Sequence, residues 1–255
     1  MTQIQNGGQT EVEPEVKALQ AIIDSKPKPV ATAQKLAECI PKSPISPSLD
    51  KKPWWKEVEE KNARDAQQQE RDAMLRDATL PTRCMKIIAA GFASKSEKWT
   101  AHLNIIRNLI NRDGSIIALV GNNGAGKTLM ASVLIHEACM THERPARFTT
   151  ALEFFQDIQS TYKGDEKSEK EVIRQYRRPY LLIIDETHER GQSAWVDRML
   201  THMVNLRYMD GKDTILIANQ TPDEFKQSIG RSIYDRARDG GGVLIFDWPS
   251  FRGGK

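Results

Sequence analysis

The sequence predicts an α/β protein: a three-layer sandwich on a five-stranded parallel sheet, preceded by a mostly helical or disordered N-terminal region. Three observations predict it. From residue 116 onward, five short runs of β type alternate with helical stretches. Strands separated in this way pair in parallel, because each crossover covers a face of the sheet. A glycine-rich turn follows the first run, and two adjacent carboxylates close the third, at the strand ends where open α/β sheets bind ligands.

Taken in order, the chain begins with a segment unable to build a core. Seven of the twelve prolines, Pro14, Pro27, Pro29, Pro41, Pro44, Pro47 and Pro53, fall within residues 1–53, among many Lys, Ser and Gln. Val16 to Ile23 and Ala31 to Ile40 could form brief helices, but the prolines between them favour flexible linkers. From Trp54 to Asp77 glycine and proline vanish, and a thin apolar set (Trp54, Trp55, Val58, Met74 and Leu75) sits among Glu, Gln, Ala and Arg. This reads as a solvated helix with an apolar start. Two roles stay open for the tryptophans: packing on the protein's own core, or anchoring a partner. Residues 54–80 are therefore expected to form an interaction segment, and 81–255 the globular domain.

After Pro81, Glu97 to Arg112 is helical, with Trp99, Leu103, Ile106, Leu109 and Ile110 on one face. The β-type runs are IIALV at 116–120, ARFTT at 146–150, YLLIID at 180–185, TILIA at 214–218 and VLIF at 243–246. Helical stretches lie near 127–141, 151–162, 192–209 and 223–238. Three glycines, Gly240 to Gly242, are expected to loosen the approach to the last strand.

Composition excludes several classes. With a mean hydropathy of −0.55 and no uninterrupted apolar run near the roughly 18 to 20 residues a bilayer requires, no membrane span is expected. The N-terminus lacks the basic and apolar regions of a secretory signal, so the cytoplasm is the expected compartment. Cys39, Cys84 and Cys139 are too scattered for a disulfide framework or zinc site. A net charge of +3 permits nucleic-acid contact through a local patch without demanding it.

The chemistry lies in three places. Gly121-Asn122-Asn123-Gly124-Ala125-Gly126-Lys127-Thr128 fits GxxxxGK[ST] between a strand and a helix, the P-loop of a nucleoside triphosphatase. Its glycines let backbone N–H groups face phosphate oxygens, Lys127 reaches the β- and γ-phosphates, and Thr128 offers a hydroxyl to Mg²⁺. The run Tyr180 to Asp185-Glu186 places Asp185 in the Mg²⁺ shell and gives Glu186 the task of orienting and deprotonating water. Read alone, such a pair would be a helix cap; with the P-loop upstream, the two motifs are expected on adjacent strands. Asn219, at the end of the TILIA strand, is placed to reach the γ-phosphate or the lytic water, the alternative being a turn before Thr221-Pro222.

With these motifs the chain resembles the DnaC-type helicase loaders, close to the IstB-type transposition ATPases, within the AAA+ superfamily. The resemblance covers about residues 60–255 and rests on GNNGAGKT, LLIIDE, Asn219 and the tail Ile233-Tyr-Asp-Arg236-Ala-Arg238 followed by Phe246-Asp-Trp-Pro-Ser-Phe-Arg252. It implies an AAA+ ATPase using ATP and Mg²⁺, with Arg236 as an arginine finger offered to the neighbouring subunit and Arg252 as the sensor 2 arginine. An arginine supplied across an interface makes hydrolysis depend on assembly. The resemblance further implies a homo-oligomer with nucleotide at its interfaces, a hexameric replicative helicase held through residues 1–80, and single-stranded DNA as a partner. The alternative is an IstB-type protein that wraps duplex DNA and recruits a transposase; a switch without hydrolysis is disfavoured by Glu186. Single strands are gripped by aromatic platforms and cationic grooves. Tyr162, beside Lys163, is one candidate contact; Ser193 and Trp195, in the stretch Thr187 to Arg198 that resembles the family's pore-facing region, are the others. His188 and His202 are expected to be surface or structural residues.

Overall fold

The computed structural model describes residues 53–91, 96–110, 114–163, 168–191 and 193–252. The expected brief helices within 1–53 lie outside the described residues. Contacts divide the chain after Pro53, and the described elements belong to the unit Trp54–Lys255.

Along the chain the elements are α1 (Trp54–Asp77), α2 (Thr82–Ala89), α3 (Glu97–Leu109), β1 (Ile116–Gly121), α4 (Lys127–Met140), β2 (Ala146–Thr150), α5 (Ala151–Ser160), α6 (Glu169–Arg177), β3 (Leu181–Asp185), α7 (Ala194–Met209), β4 (Asp213–Ala218), α8 (Pro222–Ser228), α9 (Arg231–Gly240) and β5 (Gly242–Phe246). The strands form one sheet in the order β2-β3-β4-β1-β5, with every pairing parallel.

Alternation along each strand divides its side chains between two layers. Ile117 and Leu119 join Trp99, Leu103 and Ile106 of α3 and Met130 and Leu134 of α4 in one cluster. Ile116, Ala118 and Val120 join Phe154, Leu200, Met203 and Phe225 in the other. Both faces are thus covered, as parallel strands require.

Four differences from the sequence reading carry physical reasons. β1 and β3 are not neighbours: β4 lies between them, pairing Ile116 with Thr214 on one side and Asp213 with Leu181 on the other. The helical stretch 223–238 is two helices, because Gly230 at φ 89° turns the chain between α8 and α9. The glycines before β5 do not loosen its approach. A Cβ on Gly241 would lie 1.7 Å from the Ile116 carbonyl oxygen, so glycine is what lets the two backbones close up. Helices α2 and α6 extend the expected set; α6 opens with a capping box in which Ser168 accepts from Glu171 N–H and the Glu171 carboxylate accepts from Ser168 N–H.

Helix α1 is attached at one end. Met74 and Leu75 pack on the first cluster, Arg71 pairs with Glu143, and the Phe148 N–H donates to the Ala78 carbonyl at 2.8 Å. Its other end stands free of the core among the described residues: Trp54 is 74% exposed and Trp55 46%. No described helix is long and apolar enough to cross a membrane.

Candidate nucleotide-binding site

The glycine-rich loop leaves β1 and enters α4 with Gly121, Gly124 and Gly126 at positive φ, which L side chains rarely adopt. A Cβ on Gly121 would lie 2.3 Å from the Phe246 carbonyl oxygen. Asn122 N–H donates to that same oxygen at 2.9 Å. Lys127 is buried, and its ammonium donates to the carbonyls of Gly121 and Asn122 at 2.8 Å each, folding over the loop. Burial pulls it down to about 8, against the pull of nearby Asp185. Displacing the ammonium from these two carbonyls would let it reach phosphate oxygens in the loop.

Asp185 ends β3, buried, and its Oδ2 accepts from the Thr128 hydroxyl at 2.6 Å. Burial raises its carboxyl above the usual carboxylate range, opposed by the Thr128 bond and by Lys127. Two hard oxygen donors side by side at the mouth of a phosphate loop suit Mg²⁺. Glu186 follows in a left-handed conformation, φ 56°, at the head of the 3₁₀ turn Thr187–Glu189, and its side chain makes no cap bond. The carboxyl instead stands exposed at the sheet edge, raised by partial burial and by Asp185 and Glu189. A non-glycine residue held at positive φ beside a polar cleft is where backbone strain is often retained for function.

A cleft of about 330 Å³ brings together Asn123, Gly124, Gly126, Lys127 and Thr128 with Asp185, Glu186, Asn219 and Arg252. Because β4 lies between β1 and β3, Asn219 emerges between the phosphate loop and the acids. Its N–H donates to His188 Nδ1 at 3.3 Å, which ties the ends of β3 and β4 together. Arg252 lines the cleft with Lys127. Arg236 does not: it lies along α9, donating to the Ser232 carbonyl at 3.0 Å with its guanidinium 5.4 Å above the Tyr208 ring. Tyr162 and Trp195 do meet, edge to face at 6.3 Å, with Trp195 also against Phe155 and Tyr162 58% exposed. Ser193 caps α7, its hydroxyl accepting from Val196 N–H.

Three contributions lie beyond the residues singled out in the sequence. Pro81, Arg83, Cys84 and Ile87 bring α2 into the cleft wall; the spacing of Cys84, Ile87 and Ile88 is the helical signal that marks such a face. His188 joins the site through Asn219. Trp99 and Trp248 back the phosphate loop from outside.

A parallel sheet in this order, with a phosphate loop on β1, acids on β3 and a polar residue ending the strand between them, defines a P-loop ATPase of the AAA+ class. The family model described as IstB-like ATP binding protein matches residues 57–237, and the chain belongs to that family. It is 24% identical over 143 residues to the replicative helicase loader DnaC of Escherichia coli (strain K12), covering 55% of this chain and 58% of the loader. It is 27% identical over 144 residues to a protein of Mycobacterium tuberculosis described as an ATP-binding protein in an insertion sequence, covering 54% of this chain and 56% of that one. The chain thus spans little more than half the length of these relatives. The crystal structure of the DnaC helicase loader superposes with a TM-score of 0.53 at 15% identity, covering 60% of this chain and 93% of that one.

Proposed function

We propose that this chain hydrolyses ATP in the cleft between the phosphate loop and Asp185-Glu186, and that it uses the cycle to deliver a hexameric replicative helicase onto single-stranded DNA. The single observation that carries the loading role is the free end of α1. Trp54 and Trp55 are large apolar side chains presented to solvent in the first turn of a helix whose other end is fixed to the ATPase core. Exposed paired tryptophans are typical anchors of a protein interface. The 27% identity to an insertion-sequence protein supports a second reading, in which the chain assembles on duplex DNA and recruits a transposase.

In the cycle, the loop N–H groups bind phosphate oxygens, and Lys127 leaves the Gly121 and Asn122 carbonyls to join them. Bound Mg²⁺ would neutralise charge on the phosphates, held by the Thr128 hydroxyl and the Asp185 carboxylate. Glu186, exposed and raised in pKa, accepts the proton of the attacking water, while Asn219 orients that water or the γ-phosphate. Arg252 acts from within the same subunit. Arg236, remote from its own cleft lining, serves the neighbour's nucleotide in a homo-oligomer, so that hydrolysis follows assembly. Tyr162 and Trp195 form the stacking surface for single-stranded DNA, next to Ser193 at the start of α7.

The test uses the full chain. Capture of the host's replicative helicase should be strong for the natural sequence and weakened by a factor on the order of 30 or more when Trp54 and Trp55 both become Ala. Lys127→Ala should lose nucleotide binding, whereas Glu186→Gln should bind ATP and fail to hydrolyse it. Undiminished helicase capture by the double tryptophan variant would refute the placement on α1. No helicase capture, together with cooperative assembly on duplex DNA and capture of a transposase, would favour the second reading.

A further inference from the structure

The phosphate loop is held from behind by two indoles that come from opposite ends of the domain. We infer that Trp99 and Trp248 are positioning residues for phosphate binding: each donates its ring N–H to a loop carbonyl and so aims the following backbone N–H into the cleft. The inference rests on the cleft being the nucleotide site.

The geometry is consecutive. Phe251 N–H donates to the Gly124 carbonyl at 2.9 Å, Trp248 Nε1 donates to Ala125 at 3.0 Å, and Trp99 Nε1 donates to Gly126 at 3.3 Å. Across a trans peptide the C=O and the next N–H point in opposite directions. Holding the Ala125 carbonyl outward through Trp248, and the Gly126 carbonyl through Trp99 together with the first helical bond of α4 from Met130 N–H at 2.9 Å, turns the N–H groups of Gly126 and Lys127 the other way, toward the space a phosphate would take. A loop whose peptides flipped would present carbonyl oxygens to a polyanion.

Packing alone does not require these indoles. Trp99 is fully buried and Trp248 nearly so, in a cluster that phenylalanine could also serve; the ring N–H is the part that reaches the loop. The approach is close enough to need glycine opposite, since a Cβ on Gly126 would lie 2.9 Å from Trp99 Nε1. His102 braces both sources. Its ring meets Phe246 and Trp248 edge-on at 5.2 Å each, and its two nitrogens lie 3.0 Å from the Lys98 carbonyl and 3.1 Å from that of Ile245, joining α3 to β5. Asn122 Nδ2 in turn donates to the Trp248 carbonyl at 3.3 Å. The tail after β5 thus sets the loop's peptide orientation through Trp248 and Phe251, and it carries Arg252 into the same cleft.

The test replaces Trp99 and Trp248, singly and in the full chain, by Phe and by 3-benzothienylalanine. The benzothienyl ring keeps the indole shape and exchanges its N–H for sulfur, so it isolates the donor from the packing. Affinity is titrated with a fluorescent ATP analogue, melting is followed without nucleotide, and hydrolysis is measured across ATP concentration. Each benzothienyl protein should bind about tenfold more weakly, the effect of one buried hydrogen bond. The KM should rise in parallel while kcat stays near the natural value, and affinity should fall by more, in free energy, than the nucleotide-free fold is weakened. Normal affinity in both benzothienyl proteins overturns the inference. So does a loss of affinity accompanied by an equally weakened nucleotide-free fold, which would make the indoles scaffold only. Lys127→Ala separates the levels: if it too binds normally, the cleft assignment fails, whereas if it alone loses binding, only the role of the indoles falls.

Discussion

Replacing Arg207 by Met should destabilise the protein by about 3 kcal/mol without touching the nucleotide site, and the number can be built from its partners. Arg207 is completely buried near the starts of β3 and β4. Nε donates to Thr214 Oγ1 at 2.9 Å, Nη1 to the carbonyls of Tyr176 at 2.9 Å, Pro179 at 2.8 Å and Arg177 at 3.3 Å, and Nη2 to those of Tyr180 and Asp213. Burial pulls the guanidinium down to about 9, so it remains charged at neutral pH. Two acceptors keep other donors in the variant: Tyr180 from Asp213 N–H and Arg177 from Lys212 Nζ. The Tyr176 and Pro179 carbonyls each lose a charged donor, worth about 1.5 to 3 kcal/mol apiece. Methionine fills much of the volume, and relief of the guanidinium's desolvation offsets part of these losses together with that of its attraction to Asp213 and Asp210, leaving about 3 kcal/mol. Urea unfolding followed by circular dichroism should show a lower midpoint with an unchanged slope. Because Arg207 lies at the opposite strand ends from the cleft, the folded variant should bind ATP normally. A loss below about 1 kcal/mol would refute the view that this arginine ties α6, β3 and β4 together.

Tyr176 offers a pH test. Burial first, and its bond to Asp157 second, push the phenol up to about 12, so its contribution to stability is fully present below the unfolded value near 10 and is lost as pH rises toward 12. Relative to Tyr176→Phe, the natural protein should lose about 1 kcal/mol between pH 9 and pH 11 in urea unfolding; parallel stability curves for the two proteins would contradict this. Cys84 lines the cleft at 8% exposure while Cys139 is fully buried. Maleimide should therefore modify Cys84 before Cys139, and bound ATP should slow that reaction; labelling at Cys84 that ignores ATP would place the nucleotide elsewhere. Arg236→Ala should retain ATP affinity but lose assembly-stimulated hydrolysis by about 10³-fold. Mixing it with Lys127→Ala subunits should restore some activity, and no recovery in verified mixed assemblies would mean that Arg236 works within its own subunit.

The five strands and the helix Trp54–Asp77 were legible in the sequence because local pattern is enough for them. Continuous apolar runs such as LLII mark strands buried on both faces, and a polar stretch without Gly or Pro marks a solvated helix. The P-loop was legible for the same reason, since its residues are contiguous and their chemistry does not depend on a distant partner. Strand order was not. Nothing local to IIALV or YLLIID says that TILIA will lie between them, and that insertion is what carries Asn219 into the cleft lining. The broken helix at Gly230 and the close approach at Gly241 depend on backbone geometry that a glycine permits without announcing. The partners of Trp99, Trp248, His188 and Arg207 are long-range, so their side chains look like ordinary core or surface residues until the chain is folded. Sequence alone determined which residues could bind a phosphate. Tertiary structure decided which carbonyls, indoles and acids surround them, because only folding brings the ends of β1, β3, β4 and the tail after β5 to one edge of the sheet.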